Sequence, residues 1–208
     1  MNGEDLAKYL YEAGQLKRVK RSGWWMAGID DPESVAEHSY RAAIIGFVLA
    51  KLEGVDPYKV ATMCVFHDLH EARTNDPHRV AGRYLKWEGM EEHVTSEQAQ
   101  RLPADIAEIV VGMMHAFENE TTPEARLAHD ADLLECVFQA REYQAQGHKD
   151  VEDWIKNCKA GLQSESAKRI AEACLVVEPS AWWRGLKIKK SRVVVNHEPV
   201  VVDGMAGK

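Results

Sequence analysis

With 208 residues, 45% of them hydrophobic, the chain can bury one substantial core but is short for two independent domains. A formal net charge of −7 argues against a phosphate-backbone polymer as the main ligand, since such binders draw most of their affinity from basic surface; a small anion at a local positive site stays allowed. Four cysteines without a C-x-x-C pair read as reduced core thiols, and neither an export signal nor a bilayer-spanning apolar segment stands out, so a cytoplasmic protein with no membrane role is expected.

In chain order, Leu6, Leu10 and Ala13 share one face of a short helix that Gly14 is expected to stop. Residues 16–25 come next, with Lys17, Arg18, Lys20 and Arg21 ahead of Ser22, Gly23, Trp24 and Trp25. A charge run alone is usually a solvated face, but over a metal cleft an arginine here would clamp a phosphate and an indole would cover a ring. Asp31 and Pro32 mark an expected helix start. The stripe Val35, Ala42, Ile45, Leu49 and Leu52 lies beyond it, and His38 falls on that stripe and should point inward.

Asp56 and Pro57 open the next helix, whose apolar run 60–66 leads into His67, Asp68, Leu69, His70 and Glu71. Two imidazoles and two carboxylates in one helical turn cost several kcal/mol to bury unless a partner compensates both types, and a divalent cation does so. His67 and Glu71 lie four residues apart and so share a face, with Asp68 about a quarter turn round. Asp76, before Pro77, is as much a turn former as a functional group on spacing alone. Residues 79–87 are weakly helical, and 91–101 form a polar, mostly exposed helix. Pro103 begins a helix with Ile106, Ile109, Val110, Met113 and Phe117 on one side, its methionines being core filler.

A long helix over 124–146, ended by Gly147, carries His129, Asp130 and Asp132 beside Leu127, Ala131, Leu134 and Phe138, and periodicity does not decide which of the three faces inward. Residues 151–159 and 167–174 are two further short helices. Beyond Pro179, Trp182 and Trp183 precede a basic run and two valine triplets around 196–199, which read either as a β-hairpin or as a tail that orders against a partner. There is no internal repeat and no glycine-rich phosphate loop.

His38, then His67-Asp68, then an aspartate on a later helix is a pattern that resembles the HD-domain phosphohydrolases, and more closely their 5'-deoxynucleotidase branch. Three further stretches carry the resemblance: residues 16–24, residues 33–39, and Glu71 with Asp76. Asp132 with Glu135, Glu142 and Tyr143 fits the family's final metal aspartate and the glutamate and tyrosine downstream of it, so the resemblance selects Asp132 over Asp130. It implies an all-α, single HD-domain helical bundle over residues 1–178. Residues 179–208 are then a C-terminal extension, a small β-hairpin or an interface arm.

The resemblance implies that His38, His67, Asp68 and Asp132 bind one divalent metal ion. Glu71 and Asp76 would serve water and proton transfer in unranked roles, and Arg21 would hold the substrate phosphate. Two neutral nitrogens and two carboxylates neutralise a dication, and such a set accepts manganese, cobalt, iron, nickel, zinc or magnesium. Ser22 stands where the branch's bacterial enzyme has a tryptophan associated with sugar selection, so weaker discrimination against ribonucleotides is expected. Trp24 or Trp25 would support the base. The expected activity is metal-dependent hydrolysis of nucleoside 5'-monophosphates by a homodimer. The alternatives are cyclic or triphosphate substrates, or a non-catalytic metal-stabilised scaffold, which would need neither Glu71 nor Arg21.

Overall fold

Capping chemistry sets most of the helix starts. The computed structural model describes residues 2–85, 89–184, 186, 192–195 and 198–201. Its helices are α1 (Gly3–Ala13), α2 (Val35–Glu53), α3 (Pro57–Phe66), α4 (Glu71–Thr74), α5 (Arg79–Gly82), α6 (Met90–Ala99), α7 (Ala104–Glu118), α8 (Pro123–Ala145), α9 (Glu152–Gly161) and α10 (Glu165–Val176). Asp56 accepts from the Tyr58 and Lys59 amides with Pro57 in the first position of α3, and Thr122 with Pro123 does the same work for α8. The start expected at Asp31-Pro32 lies three residues later. Ser34 is the cap, and it forms a capping box with Glu37. Residues before it run extended against 19–21, where Arg21 N–H donates to Glu33 O and Val35 N–H to Val19 O. That pairing outcompetes an earlier helical turn and ties the Arg21 segment to the start of α2.

The chain divides into two units, Met1–Val177 and Glu178–Lys208. In the first, every element among the described residues is a helix, and α2, α3 and α8 meet along Ala42, Leu49, Val60, Met63, Cys64, Ala131 and Leu134, all buried. The approach of α2 to α3 requires a glycine: a Cβ on Gly46 would stand 2.9 Å from Cys64 Sγ and 3.0 Å from Val60 Cγ1. Gly46→Val should therefore overpack the centre of the bundle by ~1–3 kcal/mol and lower the melting temperature by several degrees, read by differential scanning fluorimetry; an unchanged melting temperature would show that these helices can part without cost. Met114 and Phe117 of α7 and Ala167 and Ala171 of α10 complete this core. A second cluster, Trp24, Ala27, Ile29, Ala140, Tyr143 and Val151, anchors the 3-10 segment Ser22–Ala27.

Several expected stripes are narrower than the periodicity implied. Leu10, Leu52, Ile106 and Ile109 are exposed, whereas Tyr9, Gly46 and Met114 are buried. α6, expected to be mostly exposed, buries Val94, Thr95, Gln98 and Ala99. Gly14 caps the first helix as expected, α1 ending at Ala13, and the backbone then tightens into the 3-10 turn Gly14–Lys17. Past α5, residues 86–88 lie outside the described residues, and no helix among the described residues is long and apolar enough to cross a membrane.

In the second unit, Ala181–Trp183 forms a 3-10 turn, and β1 (Arg192–Val195) pairs antiparallel with β2 (Glu198–Val201), matching Arg192 with Val201 and Val195 with Glu198. Glu198 and Pro199, expected in the turn, thus belong to β2; residues 196–197 lie outside the described residues.

Candidate metal centre

The turn after α3 is what brings the titratable groups together. His67 N–H still donates to Met63 O in the α pattern, but the next bonds span three residues, from Leu69 N–H to Phe66 O and from Glu71 N–H to Asp68 O. Residues 67–71 are therefore not one turn of a continuous helix as expected. The tightening swings Asp68 alongside His67, so that His67 Nε2 and Asp68 Oδ2 stand 3.2 Å apart. From α2, His38 Nε2 lies 3.3 Å from His67 Nε2. From α8, Asp132 Oδ1 lies 3.1 Å from His38 Nε2 and 3.9 Å from His67 Nε2.

The far nitrogen of each imidazole is already committed. His38 Nδ1–H donates to Glu135 Oε2 at 2.5 Å, and His67 Nδ1–H donates to Cys64 O at 2.8 Å. Both rings are thereby fixed in the tautomer that presents Nε2, the arrangement that orients a ligating histidine and raises its basicity. Glu135 is itself held by Arg41, which also bonds Glu142 and Gln139. His38, His67 and Asp68 offer atoms close enough to share one ion. Two ligands at right angles on an ion ~2.1 Å away lie about 3 Å apart, close to the spacings above. The donor set fits a divalent metal.

Electrostatics point the same way. Burial and the Arg21 charge favour neutral His38, yet Glu135 and Asp132 outweigh them and push it up to about 10. Burial opposes ionised Asp68 and Asp132, but the two imidazoles and Arg21 win, holding Asp132 at about 2 and Asp68 well below the usual carboxylate range. The site thus stores negative charge balanced by protons that a dication would displace.

Glu71 is the exception among the carboxylates. Burial first, then the charges of Asp68 and Asp76, push it well above the usual range, and its Oε2 has no hydrogen-bond partner. Asp76, in contrast, is engaged: its Oδ2 accepts the Ser22 amide at 2.6 Å, and its carbonyl accepts the Ser22 hydroxyl. The Ser22 hydroxyl in turn accepts the His78 amide, so this buried serine pins the loop after α4 to the Arg21 segment. Asn75, with φ 58°, makes the sharp bend that presents Asp76.

Arg21 is caught between the centre and α8. Its Nη1 lies 3.3 Å from Asp68 Oδ2, its Nη2 3.9 Å from Asp132 Oδ1, and Nη2 donates to Cys136 Sγ at 3.1 Å. It stands at the edge of a cavity of about 360 Å³, walled by the Ser22–Ala27 turn, the loop after α4, α8 and α9. Pockets for small ligands begin at roughly 300 Å³. Trp24 reaches this cavity but is otherwise core, with its Nε1–H on Glu33 and its ring beside Tyr143 and Trp154. Trp25 is exposed and outside the cavity.

Asp130 is elsewhere: its two oxygens accept the Gln163 and Ser164 amides, each at 2.7 Å, and so hold the entry to α10. Sequence reasoning missed Arg41 and the α9 wall. Arg41 had a signal, since Glu135, Gln139 and Glu142 recur at helical spacing; α9 had none, because nothing local says which helix closes a cavity.

A family profile described as an HD domain matches residues 13–174. The chain belongs to the HD-domain family. HD-domain relatives include a protein named 5'-deoxynucleotidase HDDC2 from Dictyostelium discoideum, 34% identical over 152 residues, which cover 69% of this chain and 79% of that one. Its namesake from Homo sapiens is 31% identical over 146 residues, covering 69% and 71%. A solved structure of a conserved hypothetical protein from Pyrococcus furiosus shares the HD-domain fold at a TM-score of 0.65 and 32% identity, covering 82% of this chain and 99% of that one.

Proposed function

We propose that this protein hydrolyses nucleoside 5'-monophosphates, deoxynucleotides included, to nucleoside and phosphate with one divalent metal ion. The observation that carries this reading is the guanidinium of Arg21 placed beside Asp68 and Asp132 at the edge of a nucleotide-sized cavity. The name 5'-deoxynucleotidase borne by its relatives supports it. His38, His67, Asp68 and Asp132 would hold the metal, which supplies Lewis-acid charge to the phosphoryl group when bound. Manganese, cobalt, iron, nickel, zinc and magnesium all suit this donor set.

Arg21 forks onto the terminal phosphate oxygens, and a dianionic monoester satisfies that fork better than a diester does. Glu71 Oε2 accepts a proton from the attacking water as the water oxygen bonds to phosphorus and the bond between phosphorus and O5' breaks, and Glu71 then returns that proton to O5' of the leaving nucleoside. Asp76 holds the Ser22 turn and through it the direction of Arg21. Trp24 lends the cavity an aromatic edge. Ser22 is small and turned toward Asp76, which favours tolerance of a 2'-hydroxyl.

Phosphate release from dAMP, AMP, dATP and a cyclic nucleotide tests the reading. The two monophosphates should be hydrolysed fastest, AMP included, and Arg21→Ala should raise KM for dAMP by at least tenfold. Preference for dATP or the cyclic nucleotide would overturn the monoesterase assignment. We further propose a cytoplasmic homodimer, carried from the family resemblance, with the segment after Pro179 as an interface arm. The full-length chain should scatter light as a dimer and a chain ending at 178 as a monomer; a soluble truncated chain of dimer mass would remove the arm from the interface.

A further inference from the structure

Two buried thiols that line the cavity, Cys136 of α8 and Cys158 of α9, take no part in the reaction proposed above. Beside them the two helices come very close: a Cβ on Gly161 of α9 would stand 2.8 Å from Leu133 Cδ1 of α8. Leu133 lies three residues before Cys136 and Gly161 three after Cys158, so the cysteines occupy the next turn of the same facing surfaces. A turn further along, Ala140, Tyr143 and Val151 share a cluster with Trp154, as an antiparallel pair in this register requires. The register sets the two sulfurs opposite one another, and Cys136 donates a hydrogen bond to Cys158. Cys136 Sγ also accepts from Arg21 Nη2 at 3.1 Å, which makes a chain from guanidinium to Cys136 to Cys158.

We propose that Cys136 and Cys158 form a reversible disulfide with a peroxide as oxidant, and that this modification weakens phosphate binding by Arg21. The proposal rests on Arg21 as the phosphate clamp of the reaction proposed above. The Cys158 thiolate, favoured by the hydrogen bond from Cys136, attacks one peroxide oxygen. The oxygen–oxygen bond breaks, Cys158 becomes a sulfenic acid, and hydroxide leaves. Cys136 sulfur then bonds to Cys158 sulfur, and the sulfenic hydroxyl departs with the Cys136 proton as water. The two sulfurs together lose the electron pair that the peroxide gains, and a thiol reductant reverses the change by exchange. Once bonded to Cys158, Cys136 sulfur is turned toward α9 and no longer holds Arg21 Nη2. The guanidinium is then drawn onto Asp68 and Asp132, its remaining neighbours, and away from an incoming phosphate.

Full-length, manganese-loaded protein treated with hydrogen peroxide tests this through peptide mass mapping and calorimetric titration with inorganic phosphate. A peptide pair linked through Cys136 and Cys158 should appear, with free thiols falling from four to two per chain. Phosphate affinity should fall about tenfold, the worth of one lost hydrogen bond to a charged group, and dithiothreitol should restore it. Cys158→Ser should bind phosphate as the wild type does and keep that affinity under peroxide. Cys136 and Cys158 still reduced after prolonged treatment, a linked chain with unchanged phosphate affinity, or an equal loss in Cys158→Ser would overturn the proposal. Reversible linkage with the expected loss of phosphate affinity, in a chain that cleaves no nucleoside monophosphate, would support the disulfide and overturn the reaction assigned to the site.

Discussion

Asp132→Ala should lose bound metal and phosphate release together. Its carboxylate is one of two whose oxygens meet the facing imidazole nitrogens, with Oδ1 3.1 Å from His38 Nε2. Without it, a single carboxylate would remain to neutralise a dication already beside the Arg21 guanidinium. We expect metal affinity to fall at least a hundredfold and activity by three orders of magnitude or more. Asp130→Ala is the comparison that makes the result specific. That side chain is buried and spends both oxygens on the backbone amides of Gln163 and Ser164. Removing it leaves buried donors unpaired at a cost of ~1–3 kcal/mol, so the melting temperature should fall while metal content per folded chain is kept. Full metal content in Asp132→Ala would remove this residue from the centre.

Glu71→Ala should keep metal and substrate affinity but turn over 10²- to 10⁴-fold more slowly, the usual contribution of a positioned acid or base. The geometry separates it from Asp76. Glu71 is buried with an Oε2 that no protein group engages. Asp76 is bound to the Ser22 amide, so Asp76→Ala should loosen the Arg21 segment and raise KM along with lowering kcat. Steady-state kinetics on the two variants distinguish these outcomes. Near-normal kcat in Glu71→Ala would reduce it to a structural carboxylate, and a pure kcat defect in Asp76→Ala would exchange the roles.

How much of this was legible beforehand depended on whether the signal was local. Asp56-Pro57 named its helix because the cap and the proline act within one turn, whereas Asp31-Pro32 misled because pairing of 33–35 with 19–21 is a contact the local pattern does not contain. His38 was readable as inward from the α2 stripe. Asp130 and Asp132 were not separable by periodicity, since both sit beside apolar neighbours on α8, and only family resemblance chose between them. The structure places Asp132 beside His38 and Asp130 at the start of α10. Residues 67–71 were legible as chemistry but not as conformation: the tightened turn depends on bonds over three residues rather than four, and no residue type there announces it. Trp154 and Asn157 carried no signal, because a cavity wall is a property of packing between distant segments.

The most direct test takes one sample of wild-type protein through chelation and reloading, with metal content by mass spectrometry, phosphate release from dAMP and melting temperature measured at each stage. Because binding energy at the centre is also folding energy, the account predicts about one divalent ion per chain before chelation. Its removal should abolish phosphate release and lower the melting temperature, and reloading with manganese should restore both. Undiminished phosphate release by protein verified to be metal-free would contradict it.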